Sequence, residues 1–319
     1  MMTILIIGLL MVMTLRFNTS IRASLTSASN LQNSVALDNM AKSVFNSARA
    51  VLSVDAQESN IDTFHEDWAN LAMISQYFSY FFNQGQGSVN IIDHSGRLQI
   101  NSLLVKAEDA WVVNEEQKKL WINLLSAEEF ELAEDEPLSI VEAIIDWIDE
   151  DDEPLGFGGA ESSYYQGLDT PYTLRNGPVE FVEELLLIKG ITRELYYGTE
   201  ETPGIWNLIT PYGRDGKINI NTADALVLGA LSEQIDQDMV ESMLSYRDDP
   251  DNDLGNPEWY KSAPGFPGDV VIPPEHIATA STFFEISTEV VLEKMHRKVR
   301  GMVARPPGSD TELLFWKIE

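Results

Sequence analysis

The chain opens with an unbroken apolar run. Residues Met1–Leu15 read MMTILIIGLLMVMTL and carry no charged side chain before Arg16. A helix of this length spans about 22 Å, short of a hydrocarbon core of about 30 Å, so Phe17 and Ile21 would extend the apolar surface. The run lacks the preceding basic segment and the following small-x-small pattern of a cleaved signal peptide. It therefore predicts a membrane anchor. The anchoring side chains are Ile4, Leu5, Ile6, Ile7, Leu9, Leu10 and Val12.

Beyond the anchor, apolar residues recur at steps of three and four, as on one face of an amphipathic helix. The first proline is Pro137, and Gly8 is the only glycine before Gly85. Since nothing breaks the helix, we predict that it continues to about Ser53. The opposite face is rich in Ser, Thr, Asn and Gln, so we interpret the apolar stripe as a partner-binding surface. Its predicted contact residues are Leu31, Val35, Val44, Phe45 and Ala48.

The middle of the chain alternates between strand-like and helical patterns. A hairpin is predicted at 88–104, around the turn DHSG. Helices are predicted over 108–191, interrupted by a loop rich in glycine and acidic residues at 150–178. A second helical stretch at 223–247 follows the strand-like segment KININ. It leads into a loop rich in Pro, Gly and Asp at 248–274.

The C-terminal pattern returns to strands, in FFEISTEVVL, MHRKVRGMVAR and LLFWKIE, with a turn at PPGSD before the last of them. Strands on both sides of a helical stretch predict an α+β fold, in which one antiparallel sheet carries a helical insert. The predicted divisions are 1–54 for the N-terminal helix with its membrane segment 1–15, 55–105 for the first strands, 106–207 for the helical insert, 208–280 for a second helical part with an acidic loop, and 281–319 for the final strands.

The composition of the chain excludes several classes of function. The chain holds 51 acidic and 21 basic residues, for a net charge of −30. Such a surface repels phosphate backbones, because nucleic-acid binding rests on Lys and Arg. The stretches VEELLLIKGITREL and TADALVLGALSEQIDQDMVESMLSYR resemble helix-hairpin-helix or sterile-alpha-motif packing, but their acidic surroundings favour a structural use over DNA binding. Since the sequence has no cysteine, disulfides, thiolate metal sites and cysteine nucleophiles are excluded.

Catalytic motifs are weakly represented. The four histidines are scattered without metal-ligand spacing, and neither a GxSxG elbow nor a Walker A pattern occurs. A site with paired catalytic carboxylates, as in a glycosidase, stays open as an alternative. Any acidic protein, however, offers such pairs by chance. We predict a protein that is not an enzyme and works by assembly and binding. The alternative is a calcium-dependent enzyme or binding protein, exported and held on a membrane tether.

Acidic residues offer a candidate metal site. The alternation Asp149-x-Asp151-x-Glu153 directs successive carboxylates at a hard cation, and Glu161 comes one position later than the bidentate Glu of an EF-hand loop. A flexible loop with many oxygen atoms favours calcium over magnesium. A solvated acidic loop without metal is the alternative. The predicted ligands are Asp149, Asp151, Asp152, Glu153 and Glu161, with a second run at Asp249, Asp251 and Asp253.

A family resemblance rests on several segments in a fixed order. AIIDWIDEDDEP, GAESSYY and NGPVEFVEELLLIKGIT are followed by ININTADALVLGAL, and STFFEI at 281–286 also fits. In this order and spacing they resemble the general secretion pathway protein K family, minor pseudopilins of the type II secretion system. The resemblance implies a pilin-like fold, in which the long N-terminal helix packs on an antiparallel sheet with a large all-α insert between its strands.

The same resemblance implies a cellular setting. It places a single-pass anchor in the bacterial inner membrane, a globular domain in the periplasm, and processing by a prepilin peptidase. It also implies other minor pseudopilins and the inner-membrane platform as partners, and calcium in the globular part. Most pseudopilins carry Glu at the fifth mature position, where this chain has Leu5. Because a carboxylate without a partner in lipid is costly, Leu5 fits a subunit at the tip of the filament.

Overall fold

The elements of the fold fall into a long helix, a four-stranded sheet and an insert. The computed structural model describes residues 1–70, 82, 85–108, 110–307 and 310–318. Within these residues the α-helices are α1 Met2–Glu58, α2 Glu115–Leu125, α3 Glu136–Ile148, α4 Ser162–Gln166, α5 Arg193–Tyr197, α6 Ala225–Ala230 and α7 Gln237–Arg247. The strands are β1 Gln86–Asp93, β2 Leu98–Gln99, β3 Leu104–Ala107, β4 Ala110–Val113, β5 Ile209–Thr210, β6 Ile218–Asn219, β7 Ile277–Ala278, β8 Phe283–Leu292, β9 Met295–Ala304 and β10 Glu312–Ile318.

Helix α1 has two parts with different surroundings. Residues 1–32 are exposed along their whole length. The apolar window near the start of the helix is long enough to cross a membrane, a test that a signal sequence also passes. From Leu37 to Leu52 the helix buries one face, with successive buried residues one, three or four positions apart. The helix ends at Glu58, slightly beyond the predicted end. The sequence pattern therefore predicted its existence and its apolar face correctly.

The sheet has the order β1-β8-β9-β10 and is antiparallel throughout. Its inner face packs on α1, where Val89, Ile91, Phe284, Ile286 and Val303 are buried. A side chain at Gly301 would place its Cβ 2.7 Å from the Phe45 ring, so this strand position requires glycine. We call α1 from Leu37 onward together with this sheet the sheet body. The α+β class and the helix-on-sheet arrangement are confirmed.

The insert, residues 94–282, lies between β1 and β8, which are neighbours in the sheet. Its entry and exit are tied together. The Ser95 hydroxyl accepts hydrogen bonds from the backbone N–H groups of Thr282 (2.9 Å) and Phe283 (3.2 Å), and the His94 N–H donates to the Phe283 carbonyl (2.8 Å). A separate apolar core fills the insert, from Leu98 to Ile277. The chain therefore leaves the sheet and returns to it at one point.

Two predictions for the insert were wrong in detail. The hairpin at 88–104 does not form, because β1 pairs with β8 and Leu98 donates its N–H to the Leu208 carbonyl beside β5. The stretch 108–191 is not mainly helical, since β3 and β4 form a hairpin at its start and Val182–Leu187 is a 3-10 helix. The helical stretch at 223–247 is divided into α6 and α7.

The three C-terminal strands occur where they were predicted, as β8, β9 and β10. The predicted PPGSD turn includes residues 308 and 309, and the predicted division 55–105 includes 71–81, 83 and 84. These positions lie outside the described residues.

A buried arginine joins the sheet body to the insert. Arg305, just after β9, donates to the Leu52 carbonyl (3.1 Å) near the end of α1 and to the Asp55 carboxylate (2.8 Å). It also pairs with Asp62, whose N–H donates to the Thr279 carbonyl of the insert (2.7 Å). At the opposite end of the sheet body, Asn33 bonds to Glu293 in the β8–β9 turn (3.2 Å). The insert therefore sits at the end of the sheet body remote from the apolar part of α1.

Candidate metal centre and assembly surfaces

Three carboxylates converge at the C-terminal end of α3. Asp146 lies in the last turn of α3, Asp149 directly follows the helix, and Glu161 directly precedes α4. One oxygen atom from each lies within 4.8 Å of the others. Asp146 and Glu161 are buried and Asp149 is half-buried. Because most of α3 is buried in the insert core, the helix fixes the position of this cluster, which we call the carboxylate cluster.

The glycine-rich loop after α3 folds back onto the helix and delivers Glu161 to this cluster. The Asp146 carboxylate accepts the N–H groups of Leu155 (3.0 Å) and Ala160 (2.6 Å), and Glu142 accepts the N–H of Gly158 (2.8 Å). A Cβ at position 159 would lie 2.4 Å from the Asp146 carboxylate, so this close approach requires glycine. The glycine cluster is thus explained by loop packing.

Negative charges in the cluster lack compensating donors in the part of the chain that the structure describes. Both carboxylate oxygens of Glu161 and Oδ1 of Asp149 are buried without a hydrogen-bond donor among the described residues. Burial raises the pKa of Glu161 to about 8, and the charges of Asp146 and Asp149 add to the increase. Burial and then the charge of Asp151 raise the pKa of Asp149 to about 7. Buried carboxylates without donors are unfavourable unless a cation or proton compensates them.

These donor atoms suit a hard divalent cation. Calcium prefers six to eight oxygen ligands, and carboxylates are its usual protein ligands. The three side chains present at least one oxygen each, and the two Glu161 oxygens allow bidentate contact. The residues present therefore fit the group that the sequence predicted.

The predicted ligands divide into two groups. Asp149 and Glu161 meet in the cluster, whereas Asp151, Asp152 and Glu153 are exposed. Asp151 accepts the Glu153 N–H (2.8 Å) and Asp152 accepts the Ser162 N–H (3.1 Å), so both carboxylates serve the loop backbone. Asp146 was not among the predicted ligands. Its spacing of three residues before Asp149 on a helix was the available signal, because residues so spaced share a face.

The second predicted run has a different geometry. Asp249 accepts the Asp251 N–H (3.0 Å) and Asp253 accepts the Gly255 N–H (2.9 Å), as in short turns. The three carboxylates form no cation-sized group in the described part of the chain. The structure thus does not bring this run together as a metal site.

Another acidic group already has a cation. Asp55, Asp62 and Glu66 place oxygens within 4.8 Å of one another. The Arg305 guanidinium pairs with Asp55 at 2.8 Å and also with Asp62, so it occupies the position that a metal ion would take.

The interaction stripe predicted on α1 requires a correction. Val44, Phe45 and Ala48 are 0%, 3% and 0% exposed, because they pack on the inner face of the chain's own sheet. They belong to the core of the sheet body and cannot also contact a partner in this conformation. Leu31 and Val35, at 68% and 54% exposed, lie before the sheet begins to cover the helix. For these two residues partner binding stays a prediction.

The predicted anchor residues are free of contacts that would bury them. Ile4, Leu5, Ile6, Ile7, Leu9, Leu10 and Val12 are between 54% and 75% exposed. Exposed apolar side chains on all sides of a helix fit a lipid or helix-packed environment better than water.

A cavity of about 770 Å³ lies between the sheet and the insert, lined by His94, Glu285 and several aromatic side chains. His94 contacts the Thr210 hydroxyl (3.0 Å) and lies 3.5 Å from Glu285. Burial opposes the charged form of Glu285, but His94 and Arg300 outweigh it and lower its pKa to about 2. Burial lowers the pKa of His94 to about 4. Groups with such pKa values are poorly matched to general acid–base catalysis near pH 7.

Comparisons with known proteins agree on one family. Two family models, both described as "Type II secretion system (T2SS), protein K", match residues 96–200 and 218–269. Type II secretion system protein K of Pseudomonas aeruginosa is 29% identical over 164 residues, which cover 51% of this chain and 45% of that protein. The Aeromonas hydrophila protein of the same name is 25% identical over 142 residues, covering 44% and 41%. The chain thus matches less than half the length of these relatives.

A solved structure shares the fold. A chain in the crystal structure of the GspK-GspI-GspJ complex from the enterotoxigenic Escherichia coli type 2 secretion system aligns with a TM-score of 0.71 and 17% identity. The alignment covers 92% of this chain and 99% of that one. This structural likeness shows the fold. The two family-model matches and the relatives of the same name, together with the ordered motifs, place the chain in the type II secretion system protein K family.

Proposed function

We propose that the chain is a minor pseudopilin, which assembles with other minor pseudopilins to start and cap a short periplasmic filament for export of folded proteins. The supporting observation is the position of the insert. It is attached where α1 ends, near Asp55 and Arg305, whereas the exposed residues 1–32, which begin with the apolar run, project from the other end. In a filament whose core is built from these helices, the insert would cover the surface on which a further subunit would be added.

The anchor gives this proposal a cellular location. The exposed apolar helix would hold the subunit in the bacterial inner membrane by a single pass, with the globular part in the periplasm. The same helix would later pack among other helices in the filament. The inner-membrane platform and prepilin peptidase are proposed partners on the family resemblance alone.

A deletion experiment tests the proposal. Removing the gene should leave secreted proteins folded in the periplasm and absent from the medium, and a plasmid copy should restore their release. Immunoblots of periplasm and medium measure the distribution, with a periplasmic protein as a leakage control. Unchanged release from a strain without a redundant copy would contradict the proposal.

A capping role also predicts a change in the length or number of the filaments. Overproduction of the major pseudopilin without this chain should give longer or fewer filaments, because initiation and termination would be uncoupled. Electron microscopy of sheared filaments measures both quantities. Filaments of unchanged number and length would argue against capping while leaving a secretion role open.

We also propose that the carboxylate cluster of Asp146, Asp149 and Glu161 binds calcium. The bound ion would link the end of α3 to the start of α4 and offset the repulsion among these side chains. Two like charges about 4 Å apart repel by roughly 1–4 kcal/mol, depending on the effective dielectric constant. This proposed role is structural, and the alternative of a calcium-dependent tethered enzyme has no comparable support in the His94–Glu285 cavity.

A further inference from the structure

Phe157 is the most unusual apolar side chain of the insert surface. It lies in the glycine-rich loop after α3 and is 108% exposed, more than in an extended reference peptide. Phenylalanine is among the residues most often buried in folded proteins. A fully exposed aromatic ring offers a large apolar contact area to another molecule.

The loop that carries Phe157 is firmly held. Gly158 donates its N–H to Glu142 (2.8 Å), and the next glycine donates to the Leu155 carbonyl (3.0 Å). On the other side, the Lys189 ammonium donates to the carbonyls of Gly158 (2.9 Å) and Gly159 (3.2 Å). Since the backbone on the C-terminal side of Phe157 is fixed, the exposure of the ring is a property of the folded loop. Ordering such a ring on binding loses little conformational entropy.

A second exposed apolar residue lies on the backbone segment that contacts this loop. A Cβ at Gly158 would lie 2.3 Å from the Cα of Ser139, so the loop and the first turns of α3 are in direct backbone contact. Leu138 precedes Ser139, as Phe157 precedes Gly158, and Leu138 is 42% exposed. We call these two residues the Phe157 patch.

The charge around the patch is mainly negative, although Lys189 lies against the loop carbonyls and Lys118 pairs with Glu142 (3.7 Å). Residues 120–174 contain fifteen Asp and Glu residues and no Lys, Arg or His. Asp135 and Glu136 precede Leu138, and Asp151 to Glu153 precede Phe157, all of them exposed. A central aromatic residue surrounded by charged residues has the layout of an interface hot spot with a polar rim.

The charge also identifies the class of partner. A second copy of this chain would bring a net charge of −30 against the same charge, and anionic lipid or nucleic acid would be repelled as well. We propose that the Phe157 patch docks into an apolar pocket, rimmed by lysine and arginine, on a different protein. This inference depends on the loop geometry and charge and not on the proposed capping function or calcium site.

Site-specific photo-crosslinking in the cells that make the protein tests this proposal. Phe157 of the full chain is replaced by p-benzoylphenylalanine, and Val271, an apolar residue 50% exposed in another loop, is replaced in a matched control. We expect a light-dependent adduct from position 157 and not from position 271. Mass spectrometry of the adduct should map the partner site to apolar residues next to Lys or Arg.

Quantitative binding then separates docking from chance proximity. With the captured protein purified, Phe157→Ser should weaken binding at least about tenfold, as for an interface hot spot, while the melting temperature stays unchanged. Raising the salt concentration should weaken binding by the unsubstituted chain, because the rim is electrostatic.

Several outcomes would overturn the proposal. They are an adduct with a second copy of this chain, with lipid, or with an acidic surface, equal adduct yield from positions 157 and 271, or no adduct at position 157. Equal affinity of the Phe157→Ser chain would also reject it. A secretion defect after gene deletion would persist in all these cases, so the two proposals fail separately.

Discussion

At the residue scale, Glu161 has the least satisfied side chain of the carboxylate cluster. It is 1% exposed, and both of its carboxylate oxygens lack donors among the described residues. Calcium that binds only the folded state stabilises it by about 2.7 kcal/mol at a hundredfold excess over the dissociation constant. We therefore expect calcium to raise the melting temperature, and magnesium to raise it much less, because magnesium dehydrates reluctantly and demands octahedral geometry.

Two matched variants test which side chain is responsible for the calcium-induced rise in melting temperature. Glu161→Gln should remove most of the calcium-induced rise, since it keeps the shape and removes the charge. Glu153→Gln, an exposed position of the same loop, should keep the rise. Differential scanning fluorimetry in calcium and in chelator measures both. An equal calcium response in the two variants would exclude Glu161 as a ligand.

The same carboxylates predict a pH dependence. Folded-state pKa values of about 8 for Glu161 and about 7 for Asp149 exceed the ordinary values of 4.5 and 3.8. A carboxyl group whose pKa is raised by folding stabilises the folded state fully when the pH is below its ordinary pKa. This contribution is lost as the pH rises through its folded-state pKa. The metal-free protein should therefore become less stable between about pH 5 and about pH 8.5.

Calcium should oppose that loss. Its ligands must be deprotonated, so the calcium-induced rise in melting temperature should be larger at about pH 8.5 than at about pH 5.5. In Glu161→Gln the metal-free loss should be smaller. A calcium effect that decreases with pH would contradict this assignment of the charges.

Sequence reasoning found part of this site. The acidic alternation selected Asp149 and the EF-hand spacing selected Glu161, and both flank helix ends that the folded loop brings together. The alternation also selected Asp151 and Glu153, which face solvent, because one-dimensional spacing does not show which carboxylates the folded loop turns inward. Asp146 was passed over because its three-residue spacing from Asp149 shows a shared helix face but not that the following loop covers it.

At the element scale, α1 combines a core face and an exposed segment. Val44→Asp would bury a charge under the sheet, and we expect a loss of at least about 4 kcal/mol in the free energy of unfolding, or failure to fold. Leu31→Asp lies on the exposed segment and should change that free energy by less than about 0.5 kcal/mol. Urea unfolding of the chain without residues 1–22 measures both.

The Leu31→Asp variant also tests partner binding. Leu31→Asp should weaken association with the heads of other minor pseudopilins, because a charge would enter the proposed interface. Gel filtration of the mixed heads measures complex formation, and circular dichroism confirms folding. Unchanged association would remove Leu31 from the interface.

The elements that the sequence predicted well are those with a long, regular pattern. The N-terminal helix and strands β8 to β10 carry their periodicity over seven or more residues. The failed hairpin at 88–104 had a suitable local turn. Its partner strand, however, comes from β8, nearly two hundred positions later, where Ile91 pairs with Ile286. Local turn chemistry cannot show such a pairing, and the short 3-10 helices and two-residue strands of the insert have no period to detect.

At the scale of the whole molecule, Arg305 holds the two cores together. It is 6% exposed and contacts the end of α1, the Asp62 segment, and through Asp62 the insert. Burial raises the pKa of Asp62 to about 7, although Arg305 acts against the increase. Removing the guanidinium would leave Asp55 and Asp62 facing each other without a cation.

We expect Arg305→Gln to lower the free energy of unfolding by about 3–5 kcal/mol near neutral pH, as for other broken buried ion pairs. Without Arg305 the pKa of Asp62 should rise further, so the loss should be larger at about pH 8 than at about pH 5, where Asp62 would take up a proton. The double variant Arg305→Gln, Asp62→Asn should recover part of the stability, because it removes one of the uncompensated charges. Urea unfolding at both pH values measures these differences. Arg16→Gln, in the exposed part of α1, is the control and should change neither value. Equal stability of the single and double variants at about pH 8 would show that the pair with Asp62 does not join the insert to the sheet body.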